Sequence, residues 1–331
     1  MPGLNRREVV AGAALAALRI DIAAAAKPLA GIPIIDPHMH LFDVTRPQGA
    51  PYALVDSPYY KGGVSLPRMY DKRARPAGIV GAMVMEVSNW VEDNLWILEQ
   101  AQSDTMFVGV VGNLDPNKPE FAEYLDRFRK NPLFRGIRYS SLWGYDLRKQ
   151  VDNPVFLDGL KRLAAADLTL DTINRGVDLL QAVVKIGDEV PDLRIVIDSL
   201  PAFEPKLEEW PEYTAVLKEM SGRPNIFAKM SWSNAVTPAD IDHTANGRRV
   251  AGKYRDRLDL LTQTFGEDRV MFASNYPPVI GPVLQTIPQV VALTKAYYAD
   301  KPRATAEKFF WKNSLLVYKW ARRAADQPRL G

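Results

Sequence analysis

Two of the chain's three histidines, His38 and His40, stand two residues apart at the end of the run IPIIDPHMH, residues 32–40. Side chains alternate faces along a β-strand, so this spacing predicts that both imidazoles, and Asp36, share one face. Two imidazoles on one face suit a metal site or proton transfer. A structural zinc site takes four ligands and a catalytic one usually three, so the pair needs further residues.

Two carboxylates in other apolar runs, Glu86 and Asp171, are candidate catalytic bases that would activate water. A carboxylate inside a barrel needs a partner or a raised pKa. Arg138 has the right chemistry to hold a negative group of a substrate. The alternative is that these carboxylates form internal salt bridges with Arg138 or Lys229.

Asn275 is a third candidate catalytic residue, able to orient a water molecule or to bond a carbonyl group, although a neutral amide cannot act as a base. Ser199 is a candidate substrate contact; as a nucleophile it would need an adjacent base. Aromatic residues at or just after strand ends are candidates for the lining of an apolar pocket, with core packing as the alternative: Trp90, Trp143, Trp232 and Tyr276. The third histidine, His243, lies in a polar loop and is expected to have no role.

The composition excludes several classes of protein. The 331 residues include no cysteine, so disulfides, thiolate zinc ligands and a cysteine nucleophile are excluded. The net charge is only +3 and no basic face stands out, so nucleic acid is not an expected partner. A hydrophobic content of 47% is enough for a large core.

Eight short apolar runs separated by helical patterns predict a (β/α)8 TIM barrel of the α/β class. The runs are residues 32–35, 78–87, 106–114, 134–139, 168–173, 194–198, 225–231 and 269–274. They are continuous rather than alternating, as is typical of buried parallel strands. A doubly wound open sheet is the alternative, but eight strands without a glycine-rich phosphate loop favour the barrel. Residues 41–72 form a long loop at the active-site end and are a candidate lid.

The first 30 residues resemble a twin-arginine export signal. Arg6 and Arg7 precede a short run of small and apolar residues, and alanines at 23–26 could hold a cleavage site. This pattern predicts export to the periplasm. The alternatives are a cytoplasmic protein with an alanine-rich amphipathic N-terminal helix, and a disordered N-terminus. The run is too short to anchor the chain in a membrane.

Several motifs resemble the amidohydrolase superfamily, in its amidohydrolase-related branch of lactonase-like and decarboxylase-like proteins. They are DPHMH at 36, FRGIRYS at 134, LTLDTIN at 168, RIVIDS at 194, FAKMSW at 227 and FASNYP at 272. The resemblance covers residues 31–331 and implies one barrel domain with His38 and His40 as metal ligands. Ser199 stands where the family often has a histidine, and Asn275 where it commonly has an aspartate. The rest of the implied ligand set is therefore altered.

The resemblance implies a hydrolase that opens a small cyclic ester (a lactone) or a related carboxylic derivative. We expect no metal or one loosely bound divalent metal, with zinc uncertain, and a small molecule as the partner. The alternatives are a metal-dependent decarboxylase and a binding protein on the same scaffold. The binding protein predicts that no carboxylate lies within about 5 Å of either imidazole, roughly one hydrogen bond plus one water.

Overall fold

The computed structural model of this chain describes residues 29–46, 63–140, 143–173, 176–200, 205, 207–231, 241–243, 249–277 and 286–330. Nearly all of the N-terminal signal predicted at 1–30 lies outside these residues, as do residues 47–62 of the candidate lid and Trp232. None of the described helices is long and apolar enough to cross a membrane.

Eight parallel strands follow one another in chain order around a barrel. They are β1 (Ile34–His40), β4 (Ile79–Met85), β5 (Phe107–Gly112), β6 (Phe134–Arg138), β7 (Thr169–Ile173), β8 (Arg194–Leu200), β9 (Ile226–Ser231) and β12 (Val270–Ala273). Four short strands form two antiparallel pairs outside the barrel: β2 (Phe42–Asp43) with β3 (Val64–Ser65), and β10 (Ile241–His243) with β11 (Arg249–Ala251). The predicted TIM barrel is confirmed.

The barrel closes where β1 meets the end of β12. The N–H of His40 donates to the carbonyl of Tyr276 at 2.6 Å, and the N–H of Asn275 donates to the carbonyl of His38 at 2.8 Å. This contact excludes the open-sheet alternative, because an open sheet would leave these edges apart. It also brings the two histidines next to Asn275.

Helices lie between the strands and after the last one. They are α1 (Pro67–Ala74), α2 (Asp93–Ser103), α3 (Phe121–Phe128), α4 (Pro154–Ala165), α5 (Val177–Glu189), α6 (Trp210–Ser221), α7 (Gly252–Phe265), α8 (Ile287–Tyr298), α9 (Arg303–Glu307) and α10 (Asn313–Tyr318). A π-helical turn at Lys308–Lys312 joins α9 to α10. The strands are buried, as expected of a parallel sheet covered by helices.

The first strand is longer than its apolar run suggested and is irregular. It continues to His40, and its register to β4 shifts between Asp36 and Met39. The shift interrupts the alternation that placed Asp36 beside the histidines. The Asp36 carboxylate instead accepts hydrogen bonds from the hydroxyls of Tyr70, at 2.7 Å, and Ser274, at 2.5 Å.

Candidate active site

His38 and His40 form the centre of a buried polar site at the carboxyl end of the barrel. Their Nε2 atoms lie 3.2 Å apart, and their rings meet edge to face at 87°. Both side chains are buried. The strand therefore brings the imidazoles together, as their spacing predicted.

The partners of the other ring nitrogens assign the protons. Nδ1 of His40 lies 3.2 Å from the backbone carbonyl of Met85, which can only accept a hydrogen bond. Nδ1 of His38 lies 3.3 Å from a carboxylate oxygen of Asp198. A neutral imidazole carries one proton, so a proton on Nδ1 of each ring faces an acceptor and leaves the Nε2 lone pair to accept. The neighbours of these Nε2 atoms are each other and, for His40, Oδ1 of Asn275. Two such lone pairs facing each other suit a proton donor, such as water, or a cation.

Both histidines are neutral at ordinary pH. Burial lowers the pKa of His38 to about 4, although the charge of Asp198 partly opposes this effect. Burial also holds the pKa of His40 well below its ordinary value of 6.5, and the charges of His38 and Arg138 add to the effect. Their Nε2 atoms can therefore accept protons.

Asp198, which sequence analysis did not single out, is a carboxylate in contact with the imidazole of His38. Besides His38, it pairs with the ammonium of Lys229 at 2.9 Å and lies 3.6 Å from Nη1 of Arg138. Burial alone would raise the pKa of Asp198, but the charges of Lys229, His38 and Arg138 hold it below its ordinary value of 3.8. Asp198 is therefore ionised and orients His38. Its signal in the sequence was a single acid in the apolar run RIVID, next to Ser199.

The two carboxylates chosen as bases lie in ion pairs instead. Glu86 accepts from Arg138 Nε at 2.6 Å and from Trp143 Nε1 at 2.8 Å. Asp171 accepts from Lys229 at 2.7 Å and from the Tyr318 hydroxyl at 2.5 Å. These are the salt bridges that stood as the alternative.

Burial raises the pKa of Asp171 to about 6 despite Lys229, and it raises the pKa of Glu86 despite Arg138. Arg138 is itself fully buried, and its Nη2 also donates to the Glu86 carbonyl at 2.7 Å. It therefore binds groups of the protein rather than presenting its guanidinium to a substrate.

Asn275 is the half-buried member of the site. Its Oδ1 lies 3.3 Å from Nε2 of His40, and its backbone has a left-handed φ of 53°. Asparagine tolerates this conformation better than most residues. Ser199 lies in β8, but its side chain is outside the described part of the structure, as is that of His243.

The three aromatic candidates within the described residues lie in different surroundings. Trp90 is exposed at 42% of its surface. The ring of Tyr276 packs against Tyr70, with 5.5 Å between ring centres. Trp143 is bound to Glu86, close to the charged residues. The three therefore do not share one environment.

A divalent cation here would find two imidazole nitrogens and the amide oxygen of Asn275. Among the described residues, no three His, Asp or Glu side chains come together as a metal site. An amide oxygen is neutral and a weaker ligand than a carboxylate. The donor set therefore fits a cation held weakly by His38 and His40.

The fold places this buried polar centre at the carboxyl ends of the barrel strands, where the active sites of TIM-barrel enzymes lie. Residues 35–320 match the model of the amidohydrolase family. The chain belongs to this family, as its motifs suggested.

The chain is 25% identical to L-fucono-1,5-lactonase of Burkholderia ambifaria over 249 residues, which cover 73% of this chain and 80% of that protein. An amidohydrolase structure from Burkholderia multivorans with bound zinc has a TM-score of 0.71 at 21% identity, covering 87% of this chain and all of that one. A 5-carboxyvanillate decarboxylase from Sphingomonas paucimobilis has a TM-score of 0.60 at 13% identity, covering 88% and 100%. The two structural likenesses show the barrel fold alone.

Proposed function

We propose that this protein is a lactonase, a hydrolase that opens small cyclic esters to hydroxy acids. One observation carries the proposal: Nδ1 of His38 lies 3.3 Å from the carboxylate of Asp198, which favours a proton on Nδ1 and an unprotonated Nε2. This is the arrangement of a general base oriented by an acid. The similarity to a protein named L-fucono-1,5-lactonase supports a cyclic ester as the substrate.

In the proposed reaction a water molecule donates hydrogen bonds to the two Nε2 atoms. His38 takes a proton from this water as its oxygen attacks the lactone carbonyl. The ring C–O bond then breaks, and the imidazolium of His38 returns the proton to the leaving alkoxide. The product is an open-chain hydroxy acid, which releases the second proton of the water to solvent and becomes a carboxylate.

Asn275 and His40 assist without exchanging protons. His40 is fixed by the Met85 carbonyl, so its Nε2 can orient the water. Asn275 is half-buried and lies at the same point, where its amide group can bond the lactone carbonyl. A divalent cation held by His38 and His40 would supply Lewis-acid polarisation of that carbonyl. Because it would occupy the two Nε2 lone pairs, His38 acts as the base in the metal-free protein.

Two alternatives make different demands on the site. A site with no carboxylate near the imidazoles would have favoured a binding protein, whereas Asp198 lies 3.3 Å from Nδ1 of His38. The decarboxylase requires a metal, so metal content distinguishes it from a lactonase that works without one.

The test is a panel of five- and six-membered sugar lactones, assayed by proton release, with an aromatic carboxylic acid as the decarboxylation control. Metal content is measured in the same preparations, purified without chelator. We expect lactone hydrolysis that H38A reduces by about 10³-fold, in the range of general acid–base catalysis. The control is H243Q, which changes the remaining histidine and should retain activity. Unchanged turnover in the double variant H38A/H40A would refute the proposal.

A further inference from the structure

Lys229 lies between two buried carboxylates in the barrel interior. Its ammonium is 2.7 Å from Oδ2 of Asp171 and 2.9 Å from Oδ1 of Asp198. All three side chains are fully buried. A buried charge is tolerated only when it is paired, so this lysine and the two acids depend on each other.

The two acids differ in what else they bind. Oδ2 of Asp171 also accepts from the Tyr318 hydroxyl, and Oδ1 accepts from Thr169 at 2.9 Å. Asp171 therefore has neutral donors beyond the lysine. The other contacts of Asp198 are longer: 3.3 Å to His38 and 3.6 Å to Arg138. Lys229 is thus its nearest cationic partner among the described residues.

The same oxygen of Asp198, Oδ1, meets both Lys229 and Nδ1 of His38. The position of this oxygen therefore depends on the ammonium. The other neighbours of Lys229 are the ring of Tyr318, centred 5.1 Å from Nζ, and the sulfur of Met85 at 3.5 Å. These weak partners leave the two carboxylates as the main restraint on the ammonium.

We propose that Lys229 is a positioning residue, the built-in cation that holds Asp198 against His38 and fixes the proton of His38 on Nδ1. It acts through Asp198 and does not touch the substrate. The inference rests on the proposed function only in naming His38 as the base; the arrangement of protons can be tested without a substrate.

The first experiment is ¹⁵N NMR of the full chain with labelled histidine. The chain has only three histidines, and H243Q together with H40Q assigns their signals. In the wild type we expect His38 and His40 to have protonated Nδ1 and unprotonated Nε2. In K229M we expect His38 to lose this pattern, because Asp198 no longer has its nearest cation. His40 should keep it, because the Met85 carbonyl fixes that ring.

Activity provides the second readout. We expect K229M to lower kcat on the order of 10²-fold, at the lower end of the range of general acid–base effects, with KM within about threefold. K229R keeps the charge and should recover part of the loss. Propylammonium, which replaces the atoms missing from K229A, should restore activity, whereas 1-propanol should not. K295M is the control, since Lys295 is half-buried but lies near Gly78, at the amino end of β4.

Circular dichroism and a urea melt establish that each variant is folded. If K229M does not fold, D171N/K229M removes one charge of each sign and is used for the same two measurements. A His38 signal unchanged by loss of Lys229 would overturn the inference, as would a kcat within threefold of wild type. The protein could open no lactone while the Nδ1 proton of His38 still depends on Lys229. That result would support the inference and reject the proposed function.

Discussion

Replacement of Asp198 by asparagine tests the base assignment most directly, because the two side chains have nearly the same shape. The carboxylate of Asp198 faces three donors: His38, Lys229 and Arg138. An amide has only one acceptor oxygen, so in D198N an NH2 group faces either Arg138 or both Lys229 and His38. Where it faces His38, the imidazole must turn its lone pair to Nδ1 and carry its proton on Nε2. It then cannot accept a proton from water.

The expected loss in kcat is about 10³- to 10⁴-fold, comparable to the effect of the same change in a serine-protease triad. This corresponds to about 4–5.5 kcal/mol of transition-state free energy. Breaking a buried ion pair also costs about 3–5 kcal/mol of the free energy of unfolding. A urea melt therefore accompanies the measurement of kcat, so that activity is compared only where both proteins are folded.

The matched control is D171N, which changes the other acid bound to Lys229. Asp171 reaches His38 only through Lys229 and Asp198, so we expect a loss of about tenfold or less, well below the range for a general base. An equal or larger loss in D171N than in D198N would refute the reasoning and return the base role to Asp171.

Two further outcomes follow from the site. N275D adds an anionic ligand beside His40 Nε2, so we expect zinc to bind at least about tenfold more tightly than in the wild type. Calorimetry measures both affinities, and equal values would show that Asn275 does not face the cation. The proposed reaction needs neutral His38, and burial lowers its pKa to about 4, so kcat should stay level as pH falls from 7 to 5 and should decrease only as pH falls through about 4. A decrease centred near 6.5, the ordinary value for histidine, would contradict this.

The barrel could be predicted because its strands are continuous apolar runs. Runs such as residues 134–139 and 194–198 match β6 and β8 to within two residues at each end. The HxH spacing also located the centre of the site. An apolar run does not reveal the register of its strand against the neighbouring strands. This register decides which side chains come into contact.

The charged residues illustrate this limit. Arg138 and Asp171 are register partners on neighbouring strands, yet neither is the other's salt-bridge partner. Arg138 bonds Glu86, and Asp171 bonds Lys229, in each case two strands away. Inward side chains of a TIM barrel form layers from alternate strands, so partners are sought two strands apart rather than on the adjacent strand.

The alternate-strand rule accounts for the contact of Asp198 with Arg138 but not for its contact with Lys229, which lies on the neighbouring strand. With the barrel strands counted from β1, Arg138 and Asp198 belong to the fourth and sixth, and Glu86 directly follows the second. The structure links them through Arg138. His38 and Lys229 belong to the first and seventh, and both meet Asp198 at its Oδ1. Asp198 thus connects the residues of the even-numbered strands, through Arg138, with those of the odd-numbered strands, His38 and Lys229. Replacing it should therefore disturb the histidines more than replacing any other acid of the interior.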